Sequence, residues 1–415
     1  MLENIIGQTA TIQTLRQELE DGCLPSALLF YGPPFSAKLS TALEVARALT
    51  CSEQALWSCT CASCRRQRLL VHPNTLLLGS RYFDLEIPAA ADVLRRTGIA
   101  SSQYLFIRAV RKLTRRFDPI LWEGEEAKIR PLESSLMEIE DHLDSLVPAS
   151  GGEERICEQG LEEKLERVVS LCRGLSRQLG SDNVPVGQLR RASAWLHLTA
   201  LAGTVPGGNI GPAAKIMILE NADRMYDTSS NSLLKLLEEP PAGVCLILVT
   251  TRRSAVIPTV VSRLRPYLFL ERSREQEAEV LLRIFHEQRE DYRSLREFFL
   301  YWKDVNPDQL KNLARRFIQE ALAGSGVEAD PVPEMGILAE IAGLLSPNRA
   351  RGFAASFLEE ILHQLLPLLR EGALSPFRLE RWNRSIRSHQ MAFNAFNQQP
   401  QLTLESLFYS LRTIR

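Results

Sequence analysis

The chain alternates short, wholly apolar runs with segments whose apolar residues recur every three or four positions. From Gln8 to Asp21, the residues Ile12, Leu15 and Leu19 share one helical face, and Gly22 and Pro25 stop that helix. Ala27 to Tyr31 (ALLFY) is an apolar run leading into Gly-Pro-Pro, which reads as a buried strand followed by a turn. Leu39 to Leu49 returns to helical period, so strand, loop and helix form half of a βα unit. Lys215 to Leu219 (KIMIL) and Val244 to Thr250 (VCLILVT) read as further strands. Between them, Ser229 to Glu239 is helical and is closed by Pro240-Pro241, which cannot extend a helix. Buried strands alternating with helices predict an α/β domain with a parallel sheet covered on both faces.

Two regions differ. Ser101 to Asp182 holds a basic helical stretch (Arg108, Arg111, Lys112, Arg115, Arg116) and an acidic helical one from Glu133 to Asp144. A break follows at Pro148 to Gly152, then a charged amphipathic segment from Glu153 to Leu179 with Ile156, Leu161, Leu165, Val168 and Leu175 as its apolar face. Such helices pack on one another with their charges in water or against each other. From about Arg274 onward no strand pattern recurs. Helical stretches such as Phe353 to Leu369 and Phe377 to Phe396 are separated by Pro or Gly, which predicts an all-helical C-terminal region.

A length of 415 residues predicts two to four domains. The formal net charge of −1 excludes a whole-chain field for nucleic acid, so any DNA contact needs a local patch. No apolar run approaches the roughly 18 residues that cross a bilayer. The start, MLENIIGQTATIQTL, lacks the basic and apolar blocks of a signal peptide, and a cytoplasmic location is expected.

The candidate chemistry begins at Gly32 to Ser40 (GPPFSAKLS), between strand and helix. A phosphate loop there needs G-x-x-x-x-G-K-[ST]. Gly32 and Lys38 are in place, but Ala37 stands for the second glycine and Leu39 for the magnesium-binding hydroxyl. Ser40 comes one residue late, turned about 100° away on a helix. KIMIL then ends in Glu220-Asn221, where ATPases of this kind place Asp-Glu; Asn221 cannot act as a base. A strand end with a polar cap, Asn221 then Asp223, is the alternative there. Of eight cysteines, Cys51, Cys59, Cys61 and Cys64 crowd together. In a reducing compartment this suits tetrahedral zinc, with free thiols or a redox CxxC as alternatives. Cys23, Cys157, Cys172 and Cys245 read as ordinary helix or core cysteines. Arg263, in Ser-Arg after Pro258-Thr259-Val260-Val261, means little by itself.

Together these residues resemble the bacterial clamp-loader subunits of the AAA+ class. The resemblance rests on IIGQ, ALLFYGPP with Lys38, ALTC opening the cysteine cluster, and His72-Pro73-Asn74. It rests further on ENADRM, SSNSLLKLLEEPP, LVTT and PTVVSRL, while NAFNQQPQLTLESLF is similar to the end of the delta-prime collar. It implies an AAA+ P-loop nucleotide-binding domain over 1–205 and 206–273, with a zinc module at 51–64 and a helical insertion at about 101–182. A small helical lid at about 274–325 and an α-helical collar at about 326–415 follow. It also matches Gly32, Pro33, Pro34, Ala37, Lys38, Leu39 and Ser40 to the phosphate loop, Glu220 and Asn221 to Walker B, and Thr250 with Thr251 to sensor 1. Arg263 matches the arginine that reaches a neighbour's ATP site, and Cys51, Cys59, Cys61 and Cys64 match the structural Zn²⁺ site, which family members space more widely.

Ala37, Leu39 and Asn221 favour the delta-prime type over the active gamma or tau type. The implied role is a non-hydrolysing or weakly active DNA polymerase III clamp-loader subunit, not catalytic alone, with ATP, ADP and Mg²⁺ unsecured by its own site. It would help load the sliding clamp onto primed DNA. The implied partners are gamma/tau and delta in a pentameric ring, the sliding clamp, and primer-template DNA through the complex, with no membrane. The alternatives are a working gamma/tau-type ATPase and an AAA+ adaptor outside replication.

Overall fold

The computed structural model describes all residues except 80–82, 149–159, 180–183, 199–213, 226, 288–293, 303–305, 324–335, 346–349, 396–397 and 415. The sequence-predicted break at 149–152, Ile156, Cys157 and Phe396 lie outside the described residues.

The chain divides into two units, Met1–Arg296 and Glu297–Arg415. In the first, α1 (Thr9–Glu20) precedes β1 (Ala27–Tyr31), α2 (Lys38–Thr50), α3 (Ala62–Arg68) and β2 (Thr75–Leu78). Then come α4 (Phe83–Thr97), α5 (Ala100–Thr114), the short α6 (Pro119–Trp122) and α7 (Glu126–Ile129), α8 (Glu133–Ser145), α9 (Leu161–Gln178) and α10 (Val186–His197). The chain returns to the sheet with β3 (Lys215–Leu219), α11 (Asp227–Glu238), β4 (Val244–Thr250), α12 (Pro258–Val261) and β5 (Arg265–Leu268), and α13 (Arg274–Ile284) follows.

The five strands are all parallel, in the order β2-β3-β4-β1-β5. Alternation along each strand feeds two apolar layers. Leu28, Phe30, Ile216, Ile218, Cys245 and Ile247 meet α1 and α2 through Leu15, Ala42, Leu43 and Val45. Leu29, Met217, Leu219, Leu246 and Leu248 meet α10 and α11 through Leu189, Trp195, Leu233 and Leu236. The strands predicted from apolar runs are β1, β3 and β4, all interior. β2 and β5 went unread because each has only four residues, and in β5 Tyr267 alone is buried.

Beside the sheet, α4, α5, α8 and α9 share a core built on Phe83, Phe106, Val110, Ile139, Leu143, Leu165, Val168 and Cys172. The apolar stripe read along α9 is the buried one, and this helical layer begins at Phe83, before the point where the sequence changes texture. The basic stretch on α5 departs from expectation. Arg111 does face the acidic helix, pairing with Glu140 at 2.9 Å and Asp144 at 2.8 Å. The others do not point to solvent: Arg108 donates to Arg68 O at 3.1 Å, Lys112 pairs with Glu86, Arg115 pairs with Asp118 at 2.9 Å, and Arg116 crosses to Glu220. The cause is position, because α5 is covered by α4 and α9 while the 3-10 turn that follows it, Arg115–Phe117, runs onto β2. Cys23 is a second correction: it is exposed just past α1, whereas Cys172 and Cys245 are buried and burial pushes both thiols up to about 12.

The second unit continues from α14 (Leu295–Tyr301), which bridges the boundary, through α15 (Pro307–Ala323), α16 (Ile337–Leu344), α17 (Ala350–Arg370), α18 (Pro376–Ala395) and α19 (Pro400–Thr413). It is all-helical among the described residues, around Phe317, Phe357, Ile361, Trp382, Ile386 and Phe408. No described helix is long and apolar enough to cross a membrane.

Candidate functional site

The loop of residues 32–37 leaves the carboxyl end of β1, the sheet edge where ligands of open α/β folds bind. Gly32 has φ +146°, and a Cβ there would lie 2.0 Å from Phe269 O, so only glycine fits. Ala37 caps α2 with φ 68°, the left-handed conformation its glycine counterpart would take without strain. Phe35 is left-handed too, at φ 58°. The Lys38 ammonium is turned back onto its own loop. It donates to Gly32 O at 2.8 Å, to Pro33 O and to Ser36 Oγ at 3.0 Å, which uses its three protons. Burial, only partly opposed by Asp223 and Glu220, pulls Lys38 down to about 8, with Arg272 acting in the same direction. Leu39 is a core residue packed with the sheet, so the position of a magnesium-binding hydroxyl faces inward; Ser40 and Pro34 are exposed.

Across the same edge, Glu220 follows β3 and is buried against Gly79, where a Cβ would lie 2.2 Å from Glu220 O. Its carboxylate meets Arg116 Nη2 at 2.5 Å, with the two side chains 6% and 3% exposed, and Arg116 Nε donates to Gly79 O at 2.8 Å. Asn221 is left-handed at φ 51°. Thr250 does not reach toward the loop: its hydroxyl donates to Asp223 Oδ1 at 2.6 Å and accepts from the Arg252 amide at 3.0 Å. Arg252 also pairs with Asp223 at 3.0 Å. The strand end with a polar cap describes Asp223 well. The residues present do not fit a magnesium site, since Glu220 is neutralised by a buried guanidinium and Leu39 offers no oxygen.

The four cysteines do converge. Cys51 ends α2, Cys61 caps α3 and Cys64 sits in its first turn, with all four sulfurs within 4.8 Å of one another. Cys51 Sγ lies 3.7 Å from Cys59 Sγ and 3.9 Å from Cys61 Sγ. A Zn–S bond of about 2.3 Å in a tetrahedron puts sulfurs about 3.8 Å apart, so the set fits zinc; a disulfide needs about 2.05 Å. Burial resists ionisation of Cys61, but the Cys64 amide, at 3.3 Å, and the hydroxyl and amide of Ser52 bring it down to about 6. Behind the cluster Arg47 donates to Cys64 Sγ at 3.4 Å, to Ala55 O and Leu56 O at 3.1 Å each, and to Glu44 at 2.8 Å, an outer support of the kind metal sites use.

Neutral His72 staples this module to β2. Its Nδ1 accepts from the Asn74 amide at 3.2 Å and its Nε2 lies 3.1 Å from Ser63 Oγ. Burial, with Arg66 and Arg115 nearby, lowers His72 to about 4. The unfolded chain binds this proton near pH 6.5 and the folded one does not. Stability is therefore whole above about pH 6.5 and falls as pH drops from there toward 4. Melting temperatures across that window should fall less steeply for His72→Gln; equal slopes would refute the assignment.

A family model described as DNA polymerase III, delta subunit, matches residues 7–118 and 154–273, more than half of the chain. The chain belongs to that family. It is a DNA polymerase III clamp-loader-family subunit. Among solved structures it is similar to a DNA polymerase III, gamma subunit-related protein from Thermotoga maritima, at 17% identity and a TM-score of 0.27, over 56% of this chain and 80% of that one. No curated protein matches.

The family match leaves residues 119–153 outside it and keeps Arg116 within it. Arg263 of this clamp-loader-family chain follows α12. It pairs with Glu238 Oε1 at 2.5 Å and donates to Thr259 O at 2.8 Å, with the pair 34% and 49% exposed. Sequence reasoning missed Arg116, Arg272 and Gly79. Arg272 donates to Ile6 O at 3.3 Å and to Phe35 O, tying the loop to the N-terminal segment. Only a buried-charge argument would have drawn attention to Arg116, and nothing in the sequence links it to Glu220, 104 positions away.

Proposed function

We propose that the chain is a delta-prime-type subunit that does not hydrolyse ATP in its own site, helps load the sliding clamp onto primed DNA, and lends Arg263 to a neighbour's ATP site. The partners in this reading are gamma/tau and delta subunits in a pentameric ring, the sliding clamp and primer-template DNA, all in the cytoplasm. A lid at about 274–325 and a collar at about 326–415 belong to the same reading, although α15 shares the core of the C-terminal unit. The cysteine cluster would hold one structural zinc. The observation that carries the silent site is Glu220 held by Arg116, beside a Lys38 whose donors are used by its own loop. A contamination-controlled assay of the isolated chain should show turnover far below about 1 s⁻¹. Turnover at that rate would establish the gamma/tau-type alternative instead.

The arginine is tested separately. Leaving Glu238 costs Arg263 little, because an exposed pair is worth about 0–1 kcal/mol. In the reconstituted loader, Arg263→Ala should cut turnover at one neighbouring site on the order of 10³-fold while the ring still assembles. Arg263→Lys should rescue poorly, since a point charge lacks the planar fork. A lowered melting temperature with unchanged loader ATPase would make Arg263 a simple partner of Glu238.

A further inference from the structure

We propose that the outer face of the cysteine module binds single-stranded nucleic acid. Residues 54–79 contain no Asp or Glu, in a chain with 50 of them, and they carry Arg65, Arg66 and Arg68 on α3. Arg65 and Arg66 are exposed, and among the described residues neither has an ion-pair partner. Three large apolar side chains stand out on the same module: Leu56 is 45% exposed, Trp57 43% and Val71 36%. Arg68 lies 5.1 Å from the Trp57 ring centroid and donates to its carbonyl, while Arg47 lies 5.7 Å from the ring. The indole is thus held in place yet open to a partner.

The end of α3 that faces this surface does not add negative charge to it. The carboxyl end of a helix is normally its negative pole. Here Arg108 donates to Arg68 O at 3.1 Å and Arg111 to Leu69 O at 3.2 Å, which neutralises that end of α3. Exposed guanidiniums beside an aromatic platform fit phosphates and stacked bases, and stacking tolerates any sequence. A peptide is the poorer fit, because residues 51–74 contain no strand to which a peptide backbone could add, and the adjoining edge strand β2 is buried along its length. The inference does not depend on whether the chain hydrolyses ATP.

The test is fluorescence anisotropy of a labelled oligothymidylate of about 20 nucleotides, longer than one site, with the zinc-replete full chain over a range of salt. Each phosphate contact contributes a log–log salt slope of about −0.7, so three arginines predict about −2. Arg65→Gln with Arg66→Gln should flatten the slope by about 1.4 while melting temperature and zinc content hold. Trp57→Ala should weaken binding roughly tenfold to a hundredfold, and Trp57→Phe much less. The proposal is overturned if the wild-type chain does not bind, or if the double arginine variant binds with an unchanged slope. It is also overturned if oligoglutamate displaces the oligonucleotide and Trp57→Ala changes nothing, which would mark the face as an acidic-peptide surface.

Discussion

Freshly purified protein is expected to carry one zinc ion per chain, and stripping it is expected to unfold the module around α3. The module has little core of its own: Cys51, Ala55 and Cys64 are its buried apolar residues, with Met1, Ala48, Cys59 and Cys61 packed against them. A cluster that small cannot offset the conformational entropy of ordering its loop, at about 1–2 kcal/mol per residue. Structural zinc contributes on the order of 10 kcal/mol, enough to decide the matter. Chelation should therefore abolish hydrogen-exchange protection along Ala62–Arg68 and expose thiols to a colorimetric reagent, with the sheet left folded. Cys64→Ser should act like chelation, since Cys64 is the most deeply buried of the four. Metal content well below one per chain, or unchanged protection after chelation, would return the four cysteines to free thiols.

Replacing Arg116 by Met should destabilise the N-terminal unit by about 3–5 kcal/mol, the cost of leaving a buried carboxylate without its cation. The Glu220 side chain is only 6% exposed, so water can do little to replace the lost cation. Arg116 also loses its bond to Gly79 O and its place over the Phe83 ring, at 5.9 Å. Adding Glu220→Gln to the Arg116 variant should recover most of the loss, because a neutral amide is far cheaper to bury than an unpaired carboxylate. A double-mutant cycle by denaturant unfolding of the full chain, followed by a probe in the N-terminal unit, measures the coupling. A coupling within about 0.5 kcal/mol would reduce the pair to a bystander. Neither variant should gain ATP turnover, since Leu39 and Asn221 remain.

The parallel sheet was legible in the sequence because interior strands are buried on both faces and so appear as unbroken apolar runs: ALLFY, KIMIL and VCLILVT each became a strand. The helical C-terminal unit and the stripe on α9 were legible because amphipathic period is a local property of the chain. The cysteine cluster was legible because its members lie close together in sequence, which keeps the entropy of bringing them together low.

What the linear text could not contain is the meeting of residues far apart along it. Arg116 and Glu220 are separated by 104 positions, and each alone reads as a surface charge or a Walker B acid. Only the packing of the 3-10 turn after α5 against β2 turns them into one buried pair. The same holds for Arg263, whose partner Glu238 lies on another helix, and for β5, which is a strand because β1 offers it an edge rather than because RPYL favours one. Pattern and propensity act over a few residues, so they specify elements; electrostatics and edge pairing act through space, so their partners are chosen only when the elements dock.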